Sequence, residues 1–369
     1  MLVAMKTRLL AMIGAALRGG LCGLGCALAA CSPSSSLHDT VGQIAYQRQG
    51  DEIMVAGQLF HTGAPVVLWF DPSGYDAYRV EKRFGPIAKA SWEQTKQDGN
   101  GPDEPVRYNT RFFRFVDKQP EPMPGTVKLT AEQIAKYRGG GWDLAGLQQV
   151  VDQFVLHYDV CGTSRTCFRV LHDQRGLSVH FMLDIDGTIY QTLDLKERAW
   201  HATVSNDRSV GIEIANMGAY AIGERDACAR WDGKDALGQV RITVPDDQGD
   251  GGVRTPNFVG YPDRQEIVIG GIGNRALRQY DLTPQQYESL TRLTAALHKA
   301  LPKIRLDAPR DKSGEVSTQY LSDNELKAFT GVLGHFHIQA DKADPGPALQ
   351  WERVLEGART IVYGHRESD

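Results

Sequence analysis

Short apolar runs, separated by clusters of glycine, proline and aspartate, divide the chain into strand-like and helix-like stretches. Ile53-Met54-Val55-Ala56 and Val66-Val67-Leu68-Trp69-Phe70 read as strands about the turn signal Thr62-Gly63-Ala64-Pro65. Residues 71–125 are rich in Gly, Pro, Asp and Lys, with one strand-like run from Arg111 to Val116. Thr130 with Gln133 makes a capping box that opens a helix, and Leu147 to Val151 continue a helical surface toward Phe154. Phe154-Val155-Leu156-His157-Tyr158 is apolar on both sides until its histidine, as a buried strand is. Phe181 to Ile185 and Thr188 to Gln191 flank Asp186-Gly187, which predicts a hairpin with a two-residue turn. Ser209 to Ile214 is apolar enough for the centre of a sheet.

Periodicity is lost over 218–276, which read as a long inserted excursion with short strands at Arg241 to Val244 and Glu266 to Ile269. The next helix carries every start signal: Thr283 as cap, Pro284 at the first position, Gln286 closing the box, Leu282 and Tyr287 as a staple. Leu290, Leu293, Thr294 and Leu297 make its buried stripe, and Pro302 ends it. Leu333-Gly334-His335 is a last short strand. Strands and helices mixed at this density predict an α/β fold, a mixed central sheet flanked by helices, with a small β-rich N-terminal extension.

The first residues change that picture. Lys6, Arg8 and Arg18 are basic, and Gly19 to Ala30 is small and apolar. That is the layout of a secretory signal, shorter than the ~20 apolar residues of a membrane span. The ending Leu28-Ala29-Ala30-Cys31 resembles a bacterial lipobox, which implies cleavage before Cys31 and its lipidation. The expected organisation is a signal peptide at 1–30, a tether at 31–40, a β-rich accessory region at 41–118 and a catalytic domain at 119–356 with the insertion 218–276. In a Gram-negative host, Ser32 after the lipidated cysteine implies the periplasmic face of the outer membrane. Of the remaining cysteines, Cys161 and Cys167 enclose a short loop that export permits to close, leaving Cys228 over; all three reduced, or one paired with Cys228, are the alternatives.

Composition adds little. In 369 residues, 41% hydrophobic and 23% charged describe an ordinary globular chain, and a net charge of -4 leaves no nucleic-acid footprint. No internal repeat is visible, and a monomer is expected.

The chemistry concentrates in Gly334 to Pro347, which offers His335, His337, Lys342 and Asp344 before a Pro-Gly-Pro turn. An imidazole and a carboxylate on one stiff loop suit zinc, and a lysine between them suits a developing negative charge. A second imidazole must come from elsewhere.

Four segments supply it and carry a family resemblance: Phe154 to Tyr158; Ser178-Val179-His180-Phe181 with the Asp186 to Gln191 hairpin; Ala199-Trp200-His201-Ala202 with Asn206 and Ser209 to Glu213; and Gly334 to Pro347. Together they resemble the zinc N-acetylmuramoyl-L-alanine amidases of type 2 and the related peptidoglycan-recognition proteins. The resemblance implies that His157, His335 and Asp344 hold Zn2+, leaving an open fourth position. It places Glu213 as catalytic acid and base and Lys342 at the oxyanion. The substrate implied is peptidoglycan or its muropeptides, cut between the lactyl group of N-acetylmuramic acid and L-alanine. Trp200, His201 and Asn206 are candidates for the substrate groove. Cys161 and Cys167 resemble the short disulfide of the recognition proteins. Val179 replaces a tyrosine that some members use in catalysis, so the burden falls on Glu213. His337 stands where close bacterial members have aspartate, which leaves it open as an alternative ligand to His335. The rival expectations are a binding module that keeps the fold without the chemistry, and a zinc hydrolase cutting within the stem peptide.

Overall fold

Two centrally placed strands, buried along nearly their whole length, organise the molecule. The computed structural model describes residues 40–79, 132, 142–224 and 230–364. The signal peptide, Cys31, the strand-like run at Arg111, the helix start at Thr130 and Cys228 lie outside the described residues. In chain order the described strands are β1 (Ile44–Ala45), β2 (Glu52–Val55), β3 (Gln58–His61), β4 (Val66–Leu68), β5 (Gln153–Tyr158), β6 (Phe181–Leu183), β7 (Ile189–Gln191), β8 (Ser209–Ile214), β9 (Tyr220–Ala221), β10 (Asp232–Lys234), β11 (Val240–Ile242), β12 (Val268–Ile272), β13 (Arg275–Gln279) and β14 (Gly331–Gly334). The α-helices are α1 (Leu144–Val150), α2 (Ser164–Phe168), α3 (Pro284–Ala300), α4 (Asp323–Ala328) and α5 (Trp351–Tyr363). Among the described residues no helix is long and apolar enough to cross a membrane.

The main sheet runs β14-β5-β8-β6-β7-β4. β14, β5, β8 and β6 are parallel, and β7 turns back antiparallel to β6. β5 and β8 are covered on both faces, which is why their sequences read as apolar runs rather than alternations. One face carries Phe154, Leu156, Val210 and Ile212 into the core with Leu290, Leu293 and Leu297 of α3 and Leu355 of α5. The other carries Val155 and Leu333 into a smaller cluster with Leu321, Leu326 and Ile338.

The register of β5 on β8 sets His157 directly across from Glu213. A buried clamp holds the opposite end of the pair: Arg208 Nε and Nη2 donate to the two oxygens of Asp152 at 2.6 and 2.7 Å, and Nη1 and Nη2 also reach the carbonyls of Lys327 and Phe329. Removing one partner of such a buried pair costs about 3–5 kcal/mol.

Local signals explain most elements. Thr283 accepts from the Gln286 backbone N–H while the Gln286 side chain accepts from the Thr283 N–H, so the predicted capping box of α3 is formed on both sides. The helical surface expected from Leu147 toward Phe154 is formed over its first part, as α1. Asp143 caps it by accepting from Gly146 N–H, and it ends at Val150. The β6–β7 hairpin differs from expectation. Asp184 N–H donates to Thr188 O and Gly187 N–H to Asp184 O, so the turn has three residues, Ile185-Asp186-Gly187, with Gly187 at φ +84. A positive φ at the third position is the usual form of that turn, and the same Asp-Gly signal serves both.

The β-rich stretch does not stand wholly apart. β1, β3 and β2 form their own small sheet, but β4 pairs in parallel with β7 at the edge of the main one. The insertion builds two small sheets, β12-β13-β9 and β10-β11.

Candidate active site

β14, β5 and β8 end side by side, and ligand sites in open α/β sheets form beyond such carboxyl ends. β5 carries His157 near its end, β8 carries Glu213 opposite it, and β14 runs straight into His335. The loop after His335 folds back, held by Phe336 N–H donating to Asp344 O, and brings Asp344 against both histidines. The cleft above them has a volume of about 520 Å³.

Three atoms converge there. His157 Nδ1 and His335 Nδ1 each lie 2.8 Å from Asp344 Oδ2 and 3.0 Å from each other. The far side of each ring fixes what those atoms are. His335 Nε2 lies 2.6 Å from Gln339 Oε1, an acceptor, so the ring proton sits on Nε2. His157 Nε2 meets His201 Nδ1 at 3.0 Å, and His201 Nε2 meets Ser209 Oγ at 3.1 Å, a chain that reads as Nε2–H donating outward at each step. These protons are assigned from the network of partners. With both Nε2 protons engaged, two imidazole lone pairs and a carboxylate face one another with no hydrogen between them. A cation between them resolves that, so the residues fit a metal ion. Burial, reinforced by the neighbouring His335, pushes His157 down to about 4, so it stays a neutral ligand. Burial works to raise Asp344, but the two adjacent imidazoles outweigh it and keep its carboxyl below the usual carboxylate range, in the ionised form a cation needs.

The contest between His335 and His337 is settled by backbone partners. His337 Nδ1 accepts from Gly334 N–H at 2.9 Å, and its Nε2 donates to Ser317 O at 2.7 Å. Both nitrogens are spent, and the ring is fully buried. His337 therefore pins the loop between Gly334 and Ser317 and has no ring nitrogen left for a metal. Burial lowers its pKa to about 4 from 6.5. The folded state resists a proton that the unfolded chain takes up, so this contribution to stability is full above pH 6.5 and is lost as pH falls toward 4. His337→Phe is expected to flatten that part of the stability–pH curve. It also breaks two buried hydrogen bonds at a cost of about 2–4 kcal/mol, with metal content unchanged. Urea unfolding from pH 4 to 7 and metal analysis check both.

Glu213 reaches the cleft from a position only 9% exposed. Burial first, then the charges of Asp344 and Asp159, raise its pKa well above 4.5. A carboxylate that accepts and returns a proton readily near neutrality needs that shift. Lys342 lines the cleft as well, its ammonium 3.8 Å from Asp341 and about a third exposed.

The remaining candidates divide. Trp200 and His201 line the cleft, with the Arg198 guanidinium stacked 4.5 Å from the Trp200 ring. His201 also supports His157 through the bond to its Nε2. Asn206 is buried, and its Oδ1 accepts from His201 N–H and Ala202 N–H, so it shapes the turn beneath the cleft and does not face substrate. Cys161 and Cys167 stand as two free thiols on the cleft wall, not as the disulfide the resemblance implies. The adjacent Cys161 thiol and burial raise the Cys167 pKa well above its ordinary value.

Sequence reasoning missed the braces. Gln279 of β13 is buried, donates to Asn216 Oδ1 and Pro345 O, and accepts from Ala348 N–H. It thereby joins the end of the Glu213 strand to the Asp344 loop. Arg275, also on β13, donates to the carbonyls of Asp341 and Lys342. β13, which begins at the end of the insertion and runs past it, thus splints the loop from His335 to Asp344, a role no local pattern announces. Another cluster, Asp51, Glu52 and His61, is satisfied without a metal. Glu52 accepts from Arg48 and the N–H groups of Gln49 and Gly50, and Asp51 takes His61 and Gly63 N–H.

Comparison with known proteins identifies a family. A family profile described as N-acetylmuramoyl-L-alanine amidase matches residues 147–347. A search of curated proteins finds no match. Among solved structures, a selenomethionine derivative of AmpD is 18% identical, covering 57% of this chain and 86% of its own, with a TM-score of 0.28. The endolysin amidase LysCS of Clostridium intestinale is 16% identical, covering 57% and 84%, with a TM-score of 0.29. AmiD of E. coli, solved with anhydro-N-acetylmuramic acid-L-Ala-D-gamma-Glu-L-Lys, is 17% identical, covering 56% and 57%, with a TM-score of 0.31.

Proposed function

The chain belongs to the N-acetylmuramoyl-L-alanine amidase family, and on that premise we propose that its metal is zinc, held by His157, His335 and Asp344. The observation that supports this most is the meeting of three lone-pair donors whose ring protons are engaged elsewhere. Two imidazoles and a carboxylate leave a position open, as in catalytic zinc sites. Zinc bound there supplies Lewis acidity, acidifying water and polarising a carbonyl.

The chain's own residues do the rest. Glu213 takes the proton from the attacking water as its oxygen bonds to the lactyl carbonyl carbon. The carbonyl electrons move onto oxygen, and the Lys342 ammonium stabilises that oxyanion. Glu213 then returns the proton to the alanine nitrogen, the C–N bond breaks, and a lactyl carboxylate and a free amino terminus leave. The cleft wall of Trp200 and His201 receives the substrate, which we take to be a peptidoglycan fragment whose stem begins L-alanyl-γ-D-glutamyl. Attachment through a lipidated Cys31 would place this cleft at a membrane surface facing the wall, a reading supported by the sequence Leu28 to Cys31.

Dialysis against a chelator is expected to abolish hydrolysis of muropeptides, and one equivalent of zinc to restore it. Full turnover in protein shown by metal analysis to be metal-free would refute the zinc reading.

A further inference from the structure

Arg175 is the feature of the cleft that the proposed reaction leaves unused. It follows a π-helical turn, Arg169–Gln174, which departs from the α-helical path begun by α2. Such wider turns recur at functional sites. The turn is anchored by His172 stacked on Phe168, ring centroids 4.9 Å apart, and by Leu171, which packs into the cluster beneath. Arg175 is thereby set on the cleft wall, among Cys161, Cys167, Leu171 and Leu177. The Asp159 carboxylate lines the cleft as well, but it is turned to its own loop, accepting from the N–H groups of Cys161, Gly162 and Asn216. Its backbone N–H donates to Val170 O, but its guanidinium makes no hydrogen bond or ion pair to any described residue.

Its side of the cleft is also defined. Arg175 and Glu213 line the same cleft, and the charge of Arg175 bears on that carboxylate. Lys342 belongs to the loop between His335 and Asp344, and Arg175 to the turn that follows α2, so the two cations enter the cleft from different segments. Glu213 protonates the leaving nitrogen, so the peptide half of the substrate must leave past Glu213, along the Arg175 wall.

We propose that Arg175 is a specificity-determining residue that binds the free α-carboxylate of the second, γ-linked residue of the stem peptide. The inference rests on the amidase reading. A γ-linked glutamate leaves its α-carboxyl outside the peptide bond, and an extended residue spans only about 3.5 Å, so this group lies close beyond the leaving nitrogen. A planar guanidinium is suited to a carboxylate in two parallel hydrogen bonds, and at a partly exposed lip such a pair favours the acid by about tenfold.

The test compares N-acetylmuramoyl-L-alanyl-D-glutamate with N-acetylmuramoyl-L-alanyl-D-isoglutamine, which differ only by amidation of that carboxylate. Kinetics of the zinc-loaded wild type, Arg175→Gln and Arg175→Lys give kcat and KM for each. The wild type is expected to prefer the acid by about tenfold in kcat/KM, expressed in KM. Arg175→Gln should erase the ratio by weakening the acid alone, and Arg175→Lys should keep part of it. A wild-type ratio near one, a ratio preserved in Arg175→Gln, or equal loss on both substrates overturns the proposal while the amidase reading stands. Failure of the wild type to hydrolyse either compound overturns both.

Discussion

Glu213→Gln is expected to lower muropeptide hydrolysis by about 10³-fold or more while leaving the metal in place. The substitution keeps size and shape, so β8 should retain its register with β5 and the ligand triad its geometry. What is lost is the ability to accept a proton. General acid–base groups contribute about 10²–10⁴-fold, and Glu213 is asked to serve twice, first as base and then as acid. Val179, buried in the core where some relatives carry a helping tyrosine, offers no substitute. The pH profile supplies a second readout. Because burial raises Glu213 above an ordinary glutamate, wild-type activity should fall on the acid side as this carboxylate protonates. The residual activity of Glu213→Gln should lack that limb. Wild-type turnover by the variant would remove Glu213 from the chemistry.

His157→Ala is expected to cost the metal itself, and with it all measurable activity. Its Nδ1 is one of three converging donors, and an apolar alanine leaves His335 and Asp344 as a two-ligand remnant. His201→Ala provides the graded control. It leaves the three ligands but removes the partner that holds the His157 ring and its proton, and loss of such an outer partner weakens metal binding by about 10–100-fold. Competition with a chromophoric chelator should therefore rank the proteins as wild type, then His201→Ala, then His157→Ala. Full zinc occupancy in His157→Ala would refute the ligand assignment.

The parts of this site visible in the sequence are those fixed by local chemistry. Thr283, Pro284 and Gln286 announce the start of α3 because a cap is satisfied within four residues. His157 and Glu213 stand out because polar groups inside apolar runs demand partners. What stays hidden depends on residues far apart in the chain. His335 and His337 are two positions apart and chemically alike. They are told apart by the partners of His337, the Gly334 N–H on Nδ1 and, from a separate loop, the Ser317 carbonyl on Nε2. Asn206 reads as a groove residue because its neighbours Trp200 and His201 are, yet its amide turns inward to hold their backbone. The insertion gives no periodic signal, being short strands joined by glycine-rich turns. The hold of β13, which starts within it, on the loop from His335 to Asp344 through Arg275 and Gln279 emerges only once the sheets are assembled. β4 likewise reads as part of a separate extension, because an edge strand of three residues carries no mark of the sheet it joins.

The bond that is cut tests a metal-dependent amidase most directly. Mass spectrometry of the products from a defined muropeptide, with and without chelator, reads this in one experiment. The expected result is an intact stem peptide with a free L-alanine amino terminus, together with the sugar bearing its lactyl carboxylate, both absent when the metal is withheld. Fragments cut within the peptide, or the same products from metal-free protein, would contradict it.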